Sequence, residues 1–161
     1  MAILDLPEVL AVAAVVHPDF PEQEAVFAER LRLFPAGCRV LADLDDRTRG
    51  YLVSHPWHAA MPVPLDTLLQ QIPRDAATLY VHDLALLPAA RGSGAAGTAV
   101  GEIVETTRQL GLAHASLVAV NRSAPFWQRH GFQALRAPAF AQLRSYGNDA
   151  VFMVRAANHA P

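Results

Sequence analysis

A glycine-rich stretch at residues 92–97, GSGAAG, has the composition of a phosphate-binding loop. Glycine lets the backbone approach an anion closely, because it has no side chain to keep the ligand away. The stretch follows an apolar run and precedes a segment with helical spacing. The first N–H groups of a helix are unpaired and attract phosphate oxygens. The sequence therefore predicts that a phosphorylated ligand binds at this loop.

Two other interpretations of this loop are a dinucleotide-binding turn and a purely structural turn. A dinucleotide-binding turn is followed, about 20 residues further on, by an acidic residue that holds the ribose. Here no Asp or Glu lies between Glu105 and Asp149, and residues 88–92 separate the preceding strand from the second glycine. A nicotinamide ligand is therefore disfavoured, and a purely structural turn is disfavoured to a similar degree.

Two sequence blocks resemble those of the GNAT superfamily of N-acetyltransferases. Residues 91–96, RGSGAA, fit the pattern Q/R-x-x-G-x-G/A of its acyl-CoA loop. Residues 121–132, NRSAPFWQRHGF, resemble the segment that follows that loop by one helix and one strand. Within the superfamily, residues 80–86, YVHDLAL, are most similar to the arylalkylamine (serotonin) N-acetyltransferases. The resemblance covers roughly residues 39–154.

The resemblance implies a single N-acetyltransferase domain over residues 1–161 with an α/β fold, in which helices flank a mixed central sheet with splayed strands. It implies acetyl-CoA as the acetyl donor, a small-molecule amine as the acceptor, and a homodimer as an assembly common in the superfamily. The matched motifs imply that the donor is bound by Leu84, Ala85, Leu86, Arg91, Gly92, Ser93, Gly94, Ala95, Ala96, Asn121 and Phe126.

His82 is the candidate general base. Because an alkylamine is mostly protonated near neutral pH, its acetylation requires a group that accepts a proton, and histidine titrates in a suitable range. His82 lies beside Asp83 on the strand before the loop, where the arylalkylamine enzymes carry two histidines spaced by one residue. Tyr80 replaces the first of them, so a single base is expected. The alternative is an interior histidine that pairs with Asp83 or with the backbone.

The proton donor for the leaving thiolate is less obvious. The superfamily often carries a tyrosine where this chain has Trp127, and an indole N–H is not a proton source. Three options remain. Ser123 or Tyr80 supplies the proton through a water molecule, or the thiolate leaves without a proton donor. The backbone N–H of Leu86 is the candidate that stabilises the oxyanion. The missing tyrosine keeps a non-catalytic acyl-CoA-binding domain as the alternative function.

The acceptor pocket is predicted to be apolar. Its candidate aromatic residues are Phe20, Trp57, Tyr80 and Trp127. A tryptophan that simply covers the core is an equal alternative for Trp57. The acids of the first loop, Asp19, Glu22 and Glu24, are expected to form a solvated helix start rather than to attract a cationic amine.

The composition is that of one ordinary domain. The 161 residues are 52% hydrophobic and carry a net charge of −2, which disfavours disorder and nucleic-acid binding. The N-terminus lacks a basic segment followed by a long apolar run, so a cytoplasmic protein with no membrane partner is expected. The one cysteine, Cys38, lies in an apolar run and is expected to be buried. His17, His55 and His58 lack zinc-ligand spacing, so no metal site is predicted.

Hydrophobic periodicity and turn residues predict the order of elements. Helices are expected at residues 6–16, 22–34, 65–72, 95–110 and 123–130. Strands are expected at residues 39–44, 49–54, 78–87, 115–120, 132–136 and 150–155, with an irregular segment after the second of them. This order predicts a mixed α/β domain.

Overall fold

A computed structural model describes residues 1–135 and 141–158 of the chain. Four helices and six strands lie along these residues. In chain order they are α1 (Leu6–Val16), α2 (Glu24–Leu33), β1 (Cys38–Ala42), β2 (Thr48–Trp57), β3 (Thr78–Leu86), α3 (Ala95–Gln109), β4 (His114–Ala119), α4 (Ala124–Arg129), β5 (Gln133–Ala134) and β6 (Val151–Ala156). Short 3-10 turns lie at Ile3–Asp5, Pro35–Gly37, Pro88–Ala90 and Ala141–Tyr146.

The six strands form one mixed sheet in the order β1-β2-β3-β4-β6-β5. All neighbouring strands are antiparallel except β3 and β4, which are parallel and are joined through α3. A parallel pair needs such a crossover connection, because a short turn can only reverse the chain. This architecture confirms the predicted α/β fold, with a mixed central sheet flanked by helices.

Helices cover both faces of the sheet. The two faces separate cleanly along β2, where Tyr51 and Val53 pack under α1 and α2 while Leu52 packs under α3 and α4. This alternation follows from the period of two along a strand. The stripe predicted for the third long helix is confirmed, since Val100 and Ile103 of α3 are buried in the core. No helix among the described residues is long and apolar enough to cross a membrane.

The strands β3 and β4 separate halfway along their length. They pair only from Thr78 with His114 to Val81 with Leu117, while β3 continues to Leu86. Past Val81, the edge of β3 that faces β4 therefore has no strand partner among the described residues. Backbone groups on an open edge are available to a ligand. The splay implied by the family resemblance is present, and it opens a gap in the middle of the sheet.

Three segments differ from the sequence prediction. Strand β2 does not end at Ser54 but continues through Pro56 to Trp57. Proline is tolerated because β1 pairs with β2 only as far as Val53, so no neighbour on that side needs an N–H from Pro56. Residues 65–72 do not form a helix. Asp66 in this segment has φ of 54°, a left-handed conformation that interrupts a helix. The predicted strand at 132–136 is limited to β5, and Arg136 lies outside the described residues.

Cys38 at the start of β1 is fully buried, as predicted. Burial raises the pKa of its thiol to about 11, and the thiolate is the reactive form. We expect the native protein at pH 8 to leave an aromatic disulfide reagent unreduced, and the unfolded protein to release one equivalent of the coloured thiol. Rapid reaction of the native protein would contradict this burial. The experiment also sets the thiol background for assays that detect free CoA.

Candidate active site

A cleft with a volume of about 640 Å³ opens where β3 and β4 separate. Its walls come from the C-terminal half of α1, the loop between α1 and α2, the end of β3 and the segment after β4. Much of the lining is apolar, with Leu10, Phe27 and Leu117 among its residues. Polar groups converge on this apolar surface from several elements, and they are His17, Glu22, His82, Asp83, Arg91 and Asn121. A mostly apolar cleft with a few convergent polar groups is typical of a small-molecule site.

The geometry of β3 explains why two adjacent residues of one strand both reach the cleft. Val53 of β2 pairs with Asp83, and the next residue, Ser54, pairs with Val81. His82 is therefore one extra residue in β3, which is a β-bulge. The bulge breaks the alternation of side chains, so His82 and Asp83 both line the cleft.

His82 forms a buried pair with Glu22. Its Nε2 lies 2.9 Å from Oε2 of Glu22, and the side chains are 1% and 6% exposed. Because a carboxylate only accepts, Nε2 carries the proton of the neutral ring and Nδ1 holds the lone pair. That Nδ1 is buried and has no hydrogen-bond partner. The pair is thus an oriented imidazole with one unpaired nitrogen, and a general base needs such a nitrogen within reach of its substrate.

The expectation that the first-loop acids form a solvated helix start is wrong for Glu22, whose side chain is buried. Its second carboxylate oxygen accepts the N–H of Asp66 at 2.8 Å, so both oxygens have partners. Burial alone would raise the pKa of Glu22, but its contacts with His82 and with the N–H of Asp66 outweigh burial and lower it. Glu22 is therefore ionised at neutral pH. His82 pairs with this residue, and not with Asp83 as its alternative interpretation supposed.

Asp83 forms a second carboxylate–imidazole pair, with His17. Nε2 of His17 lies 3.1 Å from Oδ1 of Asp83, and the hydroxyl of Tyr51 donates a short hydrogen bond to the other oxygen. Burial alone would raise the pKa of Asp83, but its contacts with His17 and Tyr51 hold it below its ordinary value. Burial alone would likewise lower the pKa of His17, and the Asp83 carboxylate outweighs burial and raises it.

The loop before α3 fits a pyrophosphate group. Gly92 and Gly94 have φ of 80° and 87°, which only glycine adopts without strain. A Cβ atom at either position would meet nothing within 4 Å, so glycine is required by backbone conformation and the space above the loop is open. None of the hydrogen bonds in the described residues engages the N–H groups of Gly92, Gly94 or Ala96. Arg91 and Ala96 line the cleft beside them.

The other residues predicted to bind the donor fall into two groups, those that line the cleft and those that do not. Leu84 and Leu86 line the cleft. Ala85 between them packs under α1 and α2 and does not line the cleft. On the opposite wall, Asn121 and Phe126 line the cleft. The motif residues Gly92, Ser93, Gly94 and Ala95 form the turn at the mouth and do not line the cleft with side chains.

Only some of the residues predicted to bind the acceptor or to supply the proton lie in the cleft. Phe20, Ser123 and Trp127 line the cleft, whereas Trp57 and Tyr80 do not. The extended β2 carries Trp57 beyond the cleft, and Tyr80 lies in the part of β3 that is still paired with β4. Both belong to a separate apolar cluster. Burial raises the pKa of Tyr80 to about 12. This hydroxyl lies outside the cleft and holds its proton at neutral pH.

Two functional residues, Glu22 and His17, are absent from the sequence-based assignment of the site. Each lies in or beside the loop between α1 and α2, far along the chain from its partner on β3. The proline-rich loop that follows α1 was a signal that the chain is held in an irregular path there, but spacing alone does not pair its residues with β3. Among the described residues, no three His, Cys, Asp or Glu side chains converge as metal ligands.

The sequence model of the acetyltransferase (GNAT) family matches residues 6–132. The loading GNATL domain of CurA from Lyngbya majuscula superposes with a TM-score of 0.82 at 14% identity, over 99% of this chain and 96% of that chain. The GphF GNAT-like decarboxylase in complex with isobutyryl-CoA gives 0.81 at 17% identity, over 98% and 97%. Ard1 from Thermoplasma volcanium gives 0.74 at 13%, over 97% and 93%. No curated protein sequence matches the chain.

The family match and the geometry of the site lead to one assignment. At these identities the solved structures establish the shared fold, and the family match extends over most of the chain. The splayed strands and the glycine loop supply the place for an acyl-CoA. The chain belongs to the acetyltransferase (GNAT) family, whose members are acyl-CoA-dependent acyltransferases.

Proposed function

We propose that this protein transfers the acetyl group of acetyl-CoA to the amine of a small molecule, with His82 as the general base. The observation that carries the proposal is the buried pair of His82 and Glu22 in the cleft, which leaves Nδ1 of His82 as a free basic nitrogen. A non-catalytic acyl-CoA-binding domain has no need of an oriented imidazole in its cleft. General base catalysis of this kind typically contributes about 10²–10⁴-fold to a rate.

The reaction follows from the chemistry of the thioester. The amine nitrogen attacks the carbonyl carbon and forms the C–N bond, and it loses a proton to Nδ1 of His82. The negative oxygen that develops needs N–H donors, and the open edge of β3 near Leu86 offers backbone groups. The C–S bond then breaks, and the electron pair leaves with sulfur. Glu22 keeps its hydrogen bond to Nε2 and stabilises the imidazolium ion.

The lining of the cleft supports an amine with an apolar or aromatic body. Phe20 and Tyr146 line the cleft, with ring centroids 6.5 Å apart, and Leu65 lies on the same wall. The carboxylates Glu22 and Asp83 give this apolar wall a negative end, which attracts an ammonium group. The similarity of residues 80–86 to arylalkylamine N-acetyltransferases points to the same class of acceptor. We further propose a cytoplasmic location and a homodimeric assembly.

The test is release of free CoA from acetyl-CoA with a panel of amines at pH 7 to 9. The panel includes arylalkylamines, polyamines, amino acids and aminoglycosides, and a reaction without amine gives the background. We expect turnover with the arylalkylamines and little with the larger, multiply charged amines. The product is identified by its mass, which distinguishes N-acetylation from hydrolysis.

A thermal melt with acetyl-CoA accompanies this assay. A ligand at one hundred times its Kd stabilises the native state by about 2.7 kcal/mol, so binding of the donor raises the Tm. A raised Tm without turnover of any amine would contradict the proposal and favour the acyl-CoA-binding domain. Stabilisation by NAD and not by CoA would instead restore the nicotinamide interpretation of the glycine loop.

A further inference from the structure

His17 lies across the gap between the two splayed strands. It is the C-terminal cap residue of α1, and its backbone N–H donates to the carbonyl of Ala13 at 2.8 Å. From there Nε2 reaches Asp83 on β3 at 3.1 Å, and Nδ1 lies 3.3 Å from the amide nitrogen of Asn121, just after β4. One imidazole ring therefore contacts both walls of the cleft at the level where the sheet opens.

The charged groups around His17 favour its protonated form. Asp83 is the nearest of them, and Glu22 adds a second negative charge, while Arg91 opposes the two. The carboxylate of Asp83 is fixed in place by the hydroxyl of Tyr51. The pKa of His17 is raised from its ordinary value of 6.5 as the net result. A histidine whose pKa is raised holds its proton to higher pH, and in a cleft that proton can be given to a bound ligand.

The cleft offers few other groups that can release a proton near neutral pH. Trp127 lines it where the superfamily often has a tyrosine, and its indole N–H is not a proton source. Tyr146 also lines it, but its hydroxyl donates to the carbonyl of Val63 at 2.7 Å and burial raises its pKa far above neutrality. His82 must accept a proton in the proposed reaction, so it is not free to supply one to sulfur at the same time.

We propose that His17 is the general acid of the acyl transfer and gives its Nδ1 proton to the leaving sulfur. This inference rests on the proposed function. As the C–S bond of the tetrahedral intermediate breaks, its electron pair moves to sulfur and the Nδ1 proton forms the S–H bond of free CoA. The amine has already given its proton to His82, so one proton is accepted and one is supplied in each turnover. Both histidines return to their starting states by proton exchange with solvent.

The contact with Asn121 fits the deprotonated half of the cycle, because the amide nitrogen and a protonated Nδ1 are both donors. After it gives up its proton, His17 is neutral, keeps the proton on Nε2, which lies 3.1 Å from Asp83, and has a lone pair on Nδ1. The amide nitrogen of Asn121 is placed to donate to that lone pair. Asn121 and Arg122 have φ of 52° and 57°, a left-handed conformation that asparagine adopts more readily than arginine does. This backbone presents the amide of Asn121 to the ring.

The test compares two donors that differ in one atom, acetyl-CoA and its analogue with oxygen in place of sulfur. An alkoxide is a much poorer leaving group than a thiolate, so its departure depends more strongly on an acid. We expect His17→Gln to lower kcat with acetyl-CoA by about 10²-fold, the lower end of the range for such catalysis. We expect the loss with the oxygen ester to be at least about tenfold larger still, within the same range.

His58→Gln is the matched control, because His58 lies outside the cleft and is also paired with a carboxylate, 3.6 Å from Asp75. It should leave both rates unchanged. An equal loss with both donors in His17→Gln would assign His17 a structural role and overturn the inference. If the wild-type protein turns over neither donor, the proposed function itself fails, and the inference fails with it.

A titration of the histidine ring resonances by NMR tests the protonation state without turnover. In the wild-type protein the resonance assigned to His17, which is absent from His17→Gln, should titrate above 6.5, because the native state holds its proton more tightly. Asp83→Asn should move this titration to lower pH. The wild-type rate should accordingly decline as pH rises through the pKa of His17, and this decline should be absent from His17→Gln. A His17 resonance that titrates below its ordinary range would overturn the inference.

Discussion

Replacement of His82 by Gln is expected to lower kcat by about 10²–10⁴-fold, because it removes the nitrogen that accepts the proton of the amine. Gln can still donate a hydrogen bond to Glu22, whose carboxylate lies 2.9 Å from the His82 ring. The cleft should therefore keep its shape and the donor should still bind. The measurement is steady-state CoA release together with the affinity for acetyl-CoA by calorimetry.

The pH dependence of this variant carries a second signature. Without a base in the site, only amine that is already unprotonated in solution reacts, so the remaining rate should rise with pH up to the pKa of the amine. Glu22→Gln should lose less activity, because it keeps an acceptor for Nε2 but no longer stabilises the imidazolium by charge. Unchanged kcat in His82→Gln would show that the proton leaves by another route and would refute the assignment of the base.

The largest loss of stability is expected from Arg30→Met in α2. Arg30 is fully buried, and its guanidinium donates to Glu29 at 2.5 Å and to the carbonyl of Thr67 at 2.6 Å. Glu29 in turn accepts the N–H groups of Leu69 and Gln70 at 2.7 and 2.9 Å. Removal of one partner of a buried ion pair leaves an uncompensated charge and costs about 3–5 kcal/mol.

The cost corresponds to a drop in Tm of about 6–20 °C, at about 2–4 °C per kcal/mol for a domain of this size. Thermal and urea unfolding measure it. Arg32→Met is the control, because Arg32 lies on the same helix but is exposed, and such surface changes usually stay within about 0.5 kcal/mol. Equal stabilities of the two variants would contradict a structural role for the buried pair.

The Arg30–Glu29 pair also explains why the sequence prediction was wrong at residues 65–72. Helical spacing alone favoured a helix there. In the structure, side chains from α2 and from the loop before it satisfy the backbone of this segment at Asp66, Thr67, Leu69 and Gln70. A segment whose backbone groups find partners in another element does not need helical hydrogen bonds. Such partners are set by tertiary packing and leave no trace in local spacing.

Local patterns were sufficient for much of the fold. The apolar stripe predicts α3, and the glycines predict the turn before it, because both depend on residues that are neighbours along the chain. The length of β2 was not predictable in this way. A strand that contains Pro56 is tolerated only because β1 ends its pairing before that point, and that fact belongs to the arrangement of the sheet.

The sequence by itself determined the α/β class, the donor loop and the choice of His82 as the candidate base. Only the tertiary structure decided what surrounds that base. The partner of His82 is Glu22, 60 residues earlier in the chain, and His17 contacts an asparagine that is 104 residues away. The bulge in β3 and the packing of α1 and α2 against the sheet bring these groups together. Proton affinity and hydrogen bonding depend on neighbours in space, so the environment of these two histidines was fixed by the fold.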